Sequence, residues 1–200
     1  LQEQLFHRDL PLMADALGFT GRVALLKGRA NYLCLDRLSR QITESHGTHV
    51  DPTLLSQLVK VRSWSSTTHT GDLGECETVA EDSPVIPMIT SNNDNCIGRE
   101  CPSYEDCFVV KARRKAMEAD VVVVNHHLFL ADLAIKETGF GELIPEAEVF
   151  IFDEAHQMPD IASQYFGQSL TSRQVQELAK DVEIGYRTEA KDMRQLQKTA

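Results

Sequence analysis

Two adjacent carboxylates follow an apolar run in the second half of the chain. The run is Val149-Phe150-Ile151-Phe152, and Asp153-Glu154-Ala155-His156 comes directly after it. In nucleotide hydrolases, a buried strand that ends in such a pair places the first carboxylate on Mg²⁺ and the second beside the attacking water. A simple acidic turn is the alternative for these four residues alone. The apolar run in front of them favours the catalytic interpretation.

The glycine-rich loop that cradles phosphates does not occur in this sequence. No segment reads Gly-x-x-x-x-Gly-Lys-Ser/Thr, and the region between Gly21 and Gly28 has neither that spacing nor that ending. The chain also begins at Leu1 without a signal pattern, so we expect a fragment of a longer protein. We therefore expect this chain alone to be inactive as an ATPase.

Four of the five cysteines are candidates for a metal centre. Cys96, Cys101 and Cys107 fall within twelve residues, and Cys34 could supply a fourth thiolate. Because no secretion signal precedes them, a disulfide framework is a poor expectation. Zinc sites usually use closely spaced cysteine pairs, so the wider spacing favours an iron–sulfur cluster, with zinc and free buried thiols as alternatives. Cys76 has acidic neighbours, which raise a thiol pKa, and it is predicted not to be a ligand.

The elements that must position these groups alternate between helix and strand. Apolar residues recur at helical spacing in several segments, and short apolar or β-branched runs predict buried strands. The predicted helices cover 1–17, 30–44, 52–62, 107–118, 126–136 and 171–193, and the predicted strands cover 22–27, 120–124 and 148–152. This order predicts an α/β fold with a parallel sheet.

Residues 47–106 show little periodicity apart from the predicted helix over 52–62. Ser, Thr, Asn, Asp, Gly and Pro are common in this stretch. A loop of this length in a compact domain indicates that something other than a hydrophobic core organises it. Metal ligation is the expected organiser.

The composition is that of a soluble globular protein, with 42% hydrophobic and 25% charged residues. A net charge of −10 argues against a polybasic nucleic-acid binder, but it leaves room for a local basic surface. No apolar run approaches the roughly 18 residues of a membrane span. We therefore expect a cytoplasmic protein with no membrane partner.

Four motifs in a fixed order resemble a known family. They are residues 26–34 (LKGRANYLC), the spacing of the cysteines at 96, 101 and 107, residues 119–128 (ADVVVVNHHL) and residues 153–156 (DEAH). Together they resemble the XPD-like superfamily 2 iron–sulfur DNA helicases, and within these the bacterial DinG/YoaA branch. The resemblance spans residues 26–156 and lacks the family's phosphate loop and second motor domain.

The resemblance implies a partial RecA-like parallel sheet, a helical and loop-rich iron–sulfur insertion, and the start of a helical arch domain. The implied boundaries are 1–33 for part of the first RecA-like domain, 34–118 for the iron–sulfur domain, 119–168 for the RecA-like domain continued with its DEAH box, and 169–200 for the arch.

The implied function is ATP-dependent 5′–3′ unwinding of DNA in repair or replication, with ATP and Mg²⁺ used by the full-length parent. The implied partners are single-stranded and forked duplex DNA. Cys34, Cys96, Cys101 and Cys107 would hold a [4Fe–4S] cluster that helps to separate the strands. Asp153, Glu154 and His156 would be the catalytic residues, with Asp153 on Mg²⁺ and His156 coupling nucleotide state to the DNA-binding side.

Candidate DNA-binding residues lie on both sides of the cysteines. They are Arg62, Trp64, Arg113, Arg114 and Lys115. Basic side chains neutralise phosphates and an aromatic ring stacks on bases, whereas a solvated basic face and core packing are the structural alternatives. Two other functions stay open at this point. One is a zinc- or cluster-stabilised module that binds nucleic acid or protein without catalysis, and the other is a cluster-based redox sensor.

Overall fold

The computed structural model describes residues 2–45, 51–80, 82–137 and 143–167, together with residues 171, 172, 175, 176, 178, 179 and 182. The chain forms two compact units, one of residues 1–152 and one of residues 153–200. Most of the helix predicted over 171–193 lies outside the described residues. No described helix has the length and apolar character needed to span a bilayer.

Helices dominate the described residues. The α-helices are α1 (Gln2–Gln4), α2 (Leu10–Leu17), α3 (Leu35–Ser45), α4 (Pro52–Ser65), α5 (Ile86–Ile89), α6 (Phe108–Met117), α7 (His126–Glu137) and α8 (Met158–Phe166). A π-helical turn, Leu5–Asp9, joins α1 to α2. Short 3₁₀ turns occupy Arg29–Asn31, Leu73–Glu75, Gly98–Glu100 and Ala155–Gln157. The helices predicted near the start of the chain, over 52–62, over 107–118 and over 126–136 are confirmed, and the one predicted over 30–44 begins later, after a 3₁₀ turn.

Two parallel strands make up the sheet of the described residues. Strand β1 (Val23–Leu25) pairs with β2 (Val121–Val123), and Ala24 lies opposite Val122. Both strands are shorter than the runs that predicted them, but their parallel pairing confirms the expected α/β class. Ala24 and Leu26 pack with Ala116 of α6 and with Ile144 in a small apolar core. Helix α6, which begins directly after the candidate ligand Cys107, therefore packs on the sheet.

The strand predicted over 148–152 does not form. Val149 is 73% exposed and Ile151 is 92% exposed, and no described strand pairs with this segment. An apolar strand needs neighbours that satisfy its backbone and cover both of its faces. The rings of Phe150 and Phe152 instead contact Phe129 of α7, with centroid distances of 5.5 and 5.1 Å. The apolar run therefore gave a wrong prediction of a buried strand here.

A second apolar core organises much of the stretch in which the sequence shows little periodicity. Val85 and Ile89 are fully buried, and they pack with Leu58 and Val61 of α4 and with Phe108 of α6. The expectation that metal ligation organises residues 47–106 is therefore wrong for the described residues from Leu58 to Ile89, which contribute to this core. These apolar residues are irregularly spaced and come together only through turns, which explains why no period was visible.

Candidate cysteine centre and acidic motif

Two of the four candidate cysteines sit at the beginning of helices. Cys34 immediately precedes α3, and its carbonyl oxygen accepts a hydrogen bond from the Leu38 N–H at 2.9 Å. Cys107 caps α6 in the same way and accepts from the Lys111 N–H at 2.9 Å. The amino end of a helix carries partial positive charge, so both residues lie where the backbone favours a bound anion.

The other two candidates lie in a run of tight turns between α5 and α6. The backbone N–H of Cys101 bonds to Gly98 O, that of Tyr104 to Cys101 O, and that of Cys107 to Tyr104 O, at 3.0 to 3.2 Å. Gly98 has a φ of 61°, a conformation that favours glycine. Consecutive turns shorten the path from Cys96 to Cys107 and keep these cysteines on neighbouring segments. All four candidates are partly exposed.

Electrostatic interactions link Cys34 to two of the other thiols. Burial raises the pKa of Cys34 above its ordinary value, and the backbone N–H of Arg37 opposes this effect. The charges of Cys101, Asp36 and Cys107 raise the pKa of Cys34 further. Cys101 and Cys107 are therefore close enough to Cys34 to act on its thiol electrostatically.

Two arginines stand beside the cysteines. The Arg29 Nη1 donates to the Sγ of Cys96 at 2.8 Å. Burial lowers the pKa of Arg113 and the charge of Arg29 lowers it further, whereas Cys107 and Cys96 act in the opposite direction. Both guanidinium groups border a cavity of about 160 Å³, which is lined by Leu26, Lys27, Arg29, Asn93, Arg113, Leu128 and Leu143. Arg29 and Arg113 therefore place positive charge close to Cys96, and Arg113 also interacts with Cys107.

The four candidate cysteines would supply thiolates, the ligand type of iron–sulfur clusters and also of many zinc sites. In the described part of the chain, no three His, Cys, Asp or Glu side chains are grouped closely enough to hold one ion. A cubane cluster binds one thiolate at each iron, so its four ligands stand further apart than those of one ion. Helix amino ends and arginines suit the negative charge of such a cluster. Cys76 does not share this environment, because it is 3% exposed in the apolar core, with its Sγ 3.2 Å from the Thr78 hydroxyl.

The acidic motif lies in the second unit and is exposed. Glu154 has a φ of 50°, the only positive value for a non-glycine among the described residues. Its Oε2 lies 3.2 Å from His156 Nδ1, and its backbone N–H donates to Asp153 Oδ1 at 3.0 Å. A non-glycine residue in this backbone region is uncommon and is concentrated at functional sites. The turn therefore places the Glu154 carboxylate beside the His156 imidazole and the Asp153 carboxylate beside the Glu154 backbone.

The structure separates the residues that the sequence suggested as DNA contacts. Arg114 and Lys115 are exposed on α6, whereas the neighbouring Arg113 is half-buried and borders the cavity. On α4, Arg62 is exposed, but Trp64 packs against the larger apolar core. Of the five residues, Arg62, Arg114 and Lys115 are therefore the exposed ones.

Sequence reasoning assigned no role to Lys27 and Arg29, two cations with specific partners in the structure. Arg29 bonds a candidate ligand, Lys27 forms ion pairs with Glu3 and Asp72, and the Tyr32 hydroxyl accepts from the Lys27 backbone N–H at 3.1 Å. Lys27 lies two residues after β1, and nothing in its local sequence marks it as an ion-paired residue. Its partners are remote in sequence and could not be identified from spacing.

Comparison with known proteins shows the family. Residues 74–175, just over half of the chain, match the family model described as DEAD_2. The chain is 64% identical over all 200 residues to a protein named ATP-dependent DNA helicase YoaA from Escherichia coli (strain K12), of which it covers 31%. The protein of the same name from Haemophilus influenzae is 62% identical over the same length, and the chain again covers 31% of it.

A more distant relative agrees with this assignment. A protein named ATP-dependent helicase DinG from Mycobacterium tuberculosis is 35% identical over an alignment of 188 positions, and the match covers 86% of this chain and 28% of that protein. The chain spans about a third of the length of these curated relatives. These matches confirm the resemblance to the DinG/YoaA branch, and the chain belongs to the DEAD_2 family.

Proposed function

We propose that this chain is part of an ATP-dependent DNA helicase that unwinds DNA in the 5′–3′ direction during repair or replication. The observation that carries the proposal is 64% identity, across the whole chain, to a protein named ATP-dependent DNA helicase. Within the parent protein, this portion would carry the cluster-bearing domain at the unwinding junction and the acidic motif of the nucleotide site. Single-stranded and forked duplex DNA would be its partners.

Cys34, Cys96, Cys101 and Cys107 would hold the [4Fe–4S] cluster. When bound, the cluster would supply a rigid cross-link between segments and a negatively charged redox-capable centre. Two ligands are held by helix amino ends, and Cys96 is oriented by the Arg29 hydrogen bond of 2.8 Å. Without such a cross-link, residues 92–107 have only turns and a few side-chain contacts to order them. The cluster would therefore stabilise mainly this part of the insertion.

Asp153 and Glu154 would act in the nucleotide site of the parent protein. Asp153 would bind Mg²⁺ on the nucleotide phosphates, and Glu154 would orient the attacking water. His156, 3.2 Å from the Glu154 carboxylate, would hold that carboxylate in its strained turn. This chain contains no phosphate-binding loop, so we expect no Mg²⁺-dependent, DNA-stimulated ATP hydrolysis from the chain alone.

Arg62, Arg113, Arg114 and Lys115 would contact phosphates, and Trp64 is retained as a stacking candidate through its exposed edge. Phosphate contacts release counterions, so DNA affinity should fall steeply as salt rises. A module that binds only protein would not show this salt dependence with single-stranded DNA.

The deciding experiment is anaerobic purification of the chain, followed by iron, sulfide and zinc assays and a visible spectrum on one sample. A [4Fe–4S] cluster predicts about four irons and four sulfides per chain. Serine substitution of Cys34, Cys96, Cys101 or Cys107 should remove the colour, whereas Cys76→Ser should retain it, since Cys76 lies in the apolar core. One zinc per chain would instead support the non-catalytic binding module. A folded protein without metal would overturn the proposed centre.

A further inference from the structure

Lys27 is a buried cation at the carboxyl end of β1. Its side chain is 11% exposed, and its ammonium group forms ion pairs with both Glu3 and Asp72, the latter at 2.5 Å. Burial lowers the pKa of Lys27, but the hydrogen bonds and charges of Asp72 and Glu3 raise it above its ordinary value. The ammonium therefore stays charged in the folded protein.

The two carboxylates belong to parts of the chain that do not otherwise share an element. Glu3 lies in the first helix, and Asp72 lies in the proposed cysteine-bearing insertion. The Asp72 side chain is 7% exposed, and it also accepts a hydrogen bond from the Gly74 N–H at 3.0 Å. Lys27 is thus the point at which the first helix, the sheet and the insertion meet.

Asp72 is in turn connected to two candidate ligands through their neighbours. It forms an isolated bridge with Tyr32, and Gly71 accepts a hydrogen bond from the Leu33 N–H at 2.8 Å. Leu33 directly precedes Cys34. The α-carbon of Gly71 also faces the ring of Phe108, the residue after Cys107. A shift of either cysteine would therefore be transmitted to the Gly71–Asp72 segment.

The first helix comprises α1, the π-helical turn and α2, and none of these three elements contains a buried side chain. Its attachment to the sheet therefore depends on polar contacts. The Gln2 Nε2 donates to Leu26 O and Val123 O at 3.2 and 3.3 Å. Glu3 forms an ion pair with Lys27, and its Oε2 also lies 3.0 Å from His7 Nε2. The π-helical turn Leu5–Asp9 follows at once, and such turns occur frequently at functional sites.

We propose that Lys27 is a positioning residue that couples the first helix to the cysteine-bearing insertion, so that occupancy of the cysteines controls how firmly the helix is held. This inference rests on the proposed cluster. A buried ion pair contributes little net stability compared with apolar packing, and its best-attested use is to fix one arrangement of elements. The Lys27 ammonium joins the two elements only when Glu3 and Asp72 are both in place.

The test is amide hydrogen exchange of residues 2–9, measured by mass spectrometry before and after iron is removed anaerobically with a chelator. In the unsubstituted chain, iron removal should speed exchange at residues 2–9 by at least about fivefold, the lower end of ordinary coupling between sites. In Lys27→Met, exchange should be fast in both states. Lys60→Met is the matched control, because Lys60 is exposed on α4, and it should behave like the unsubstituted chain.

Glu3→Ala keeps the test decisive if Lys27→Met does not fold. Glu3 is half-exposed, so its loss leaves the buried pair of Lys27 and Asp72 intact and breaks only the link to the helix. Iron-dependent exchange at residues 2–9 that persists in Glu3→Ala would overturn the coupling. An iron-loaded chain whose residues 2–9 exchange alike before and after iron removal would overturn the coupling and leave the cluster standing. A chain that binds no iron would overturn both.

Discussion

Gly71 is the position where a single methyl group should be most informative. Its φ is +64°, and a Cβ added there would fall inside the van der Waals contact distance of the Phe108 ring. Phe108 is buried and belongs to the larger apolar core, so its ring has little room to move. We therefore expect Gly71→Ala to combine two separate costs, backbone strain and overpacking.

The two costs can be estimated separately. Placing alanine in the left-handed backbone region costs about 1–2 kcal/mol. Forcing an extra methyl group into a packed core costs about 1–3 kcal/mol more. Gly71→Ala should therefore lower the free energy of unfolding by about 2–5 kcal/mol. Gly98→Ala is the matched control, because Gly98 has a φ of +61° with no atom within 4 Å of an added Cβ. The control should show the backbone cost alone.

Anaerobic urea unfolding of the two variants, followed by circular dichroism, measures the difference. Gly71→Ala should be less stable than Gly98→Ala by about 1–3 kcal/mol, which is the overpacking cost. If the two variants unfolded within about 0.5 kcal/mol of each other, the agreement expected for equivalent effects, the assigned contact between Gly71 and Phe108 would be refuted.

Two further predictions concern the cations near the cysteines. Arg29→Gln removes the hydrogen bond to the Cys96 Sγ, so the cluster should lose iron about tenfold faster than in the control variant Arg99→Gln, whose arginine is exposed. Iron release is followed with a chromogenic chelator, and equal rates in the two variants would contradict the assigned bond. The raised pKa of Lys27 means that its stabilising contribution is complete below about pH 10.4 and is lost as pH rises through the folded pKa. The difference in unfolding free energy between the unsubstituted chain and Lys27→Met should therefore shrink between pH 7 and about pH 11.5, and a difference independent of pH would contradict that ion pair.

Local sequence patterns predicted most of the individual elements. The β-branched run that ends at Val124 predicted β2, and the apolar spacing after Pro52 predicted α4, because each element buries side chains at its own period. The cysteine spacing predicted a candidate centre, and the structure places Cys34 and Cys107 at helix amino ends, which spacing alone could not show.

Predictions that depended on packing against remote segments were wrong or incomplete. The apolar run ending at Phe152 satisfies every local requirement of a buried strand, yet no described strand accepts its backbone and it stays exposed. The basic run on α6 looks uniform in sequence, but the helix turns Arg113 toward the cavity and Arg114 toward solvent. A residue's local period does not specify what lies opposite it.

The sequence by itself determined the family motifs, the candidate ligands, the acidic pair, and the order of the two strands and the longer helices around them, since these depend on residue type and short-range spacing. Only the tertiary structure decided which remote groups meet. It brought Glu3 and Asp72 onto one ammonium, set Arg29 against Cys96, and closed an apolar core around Val85. The physical reason is that charge pairing, hydrogen bonding and close packing act at distances of a few ångströms in space, whatever the separation along the chain.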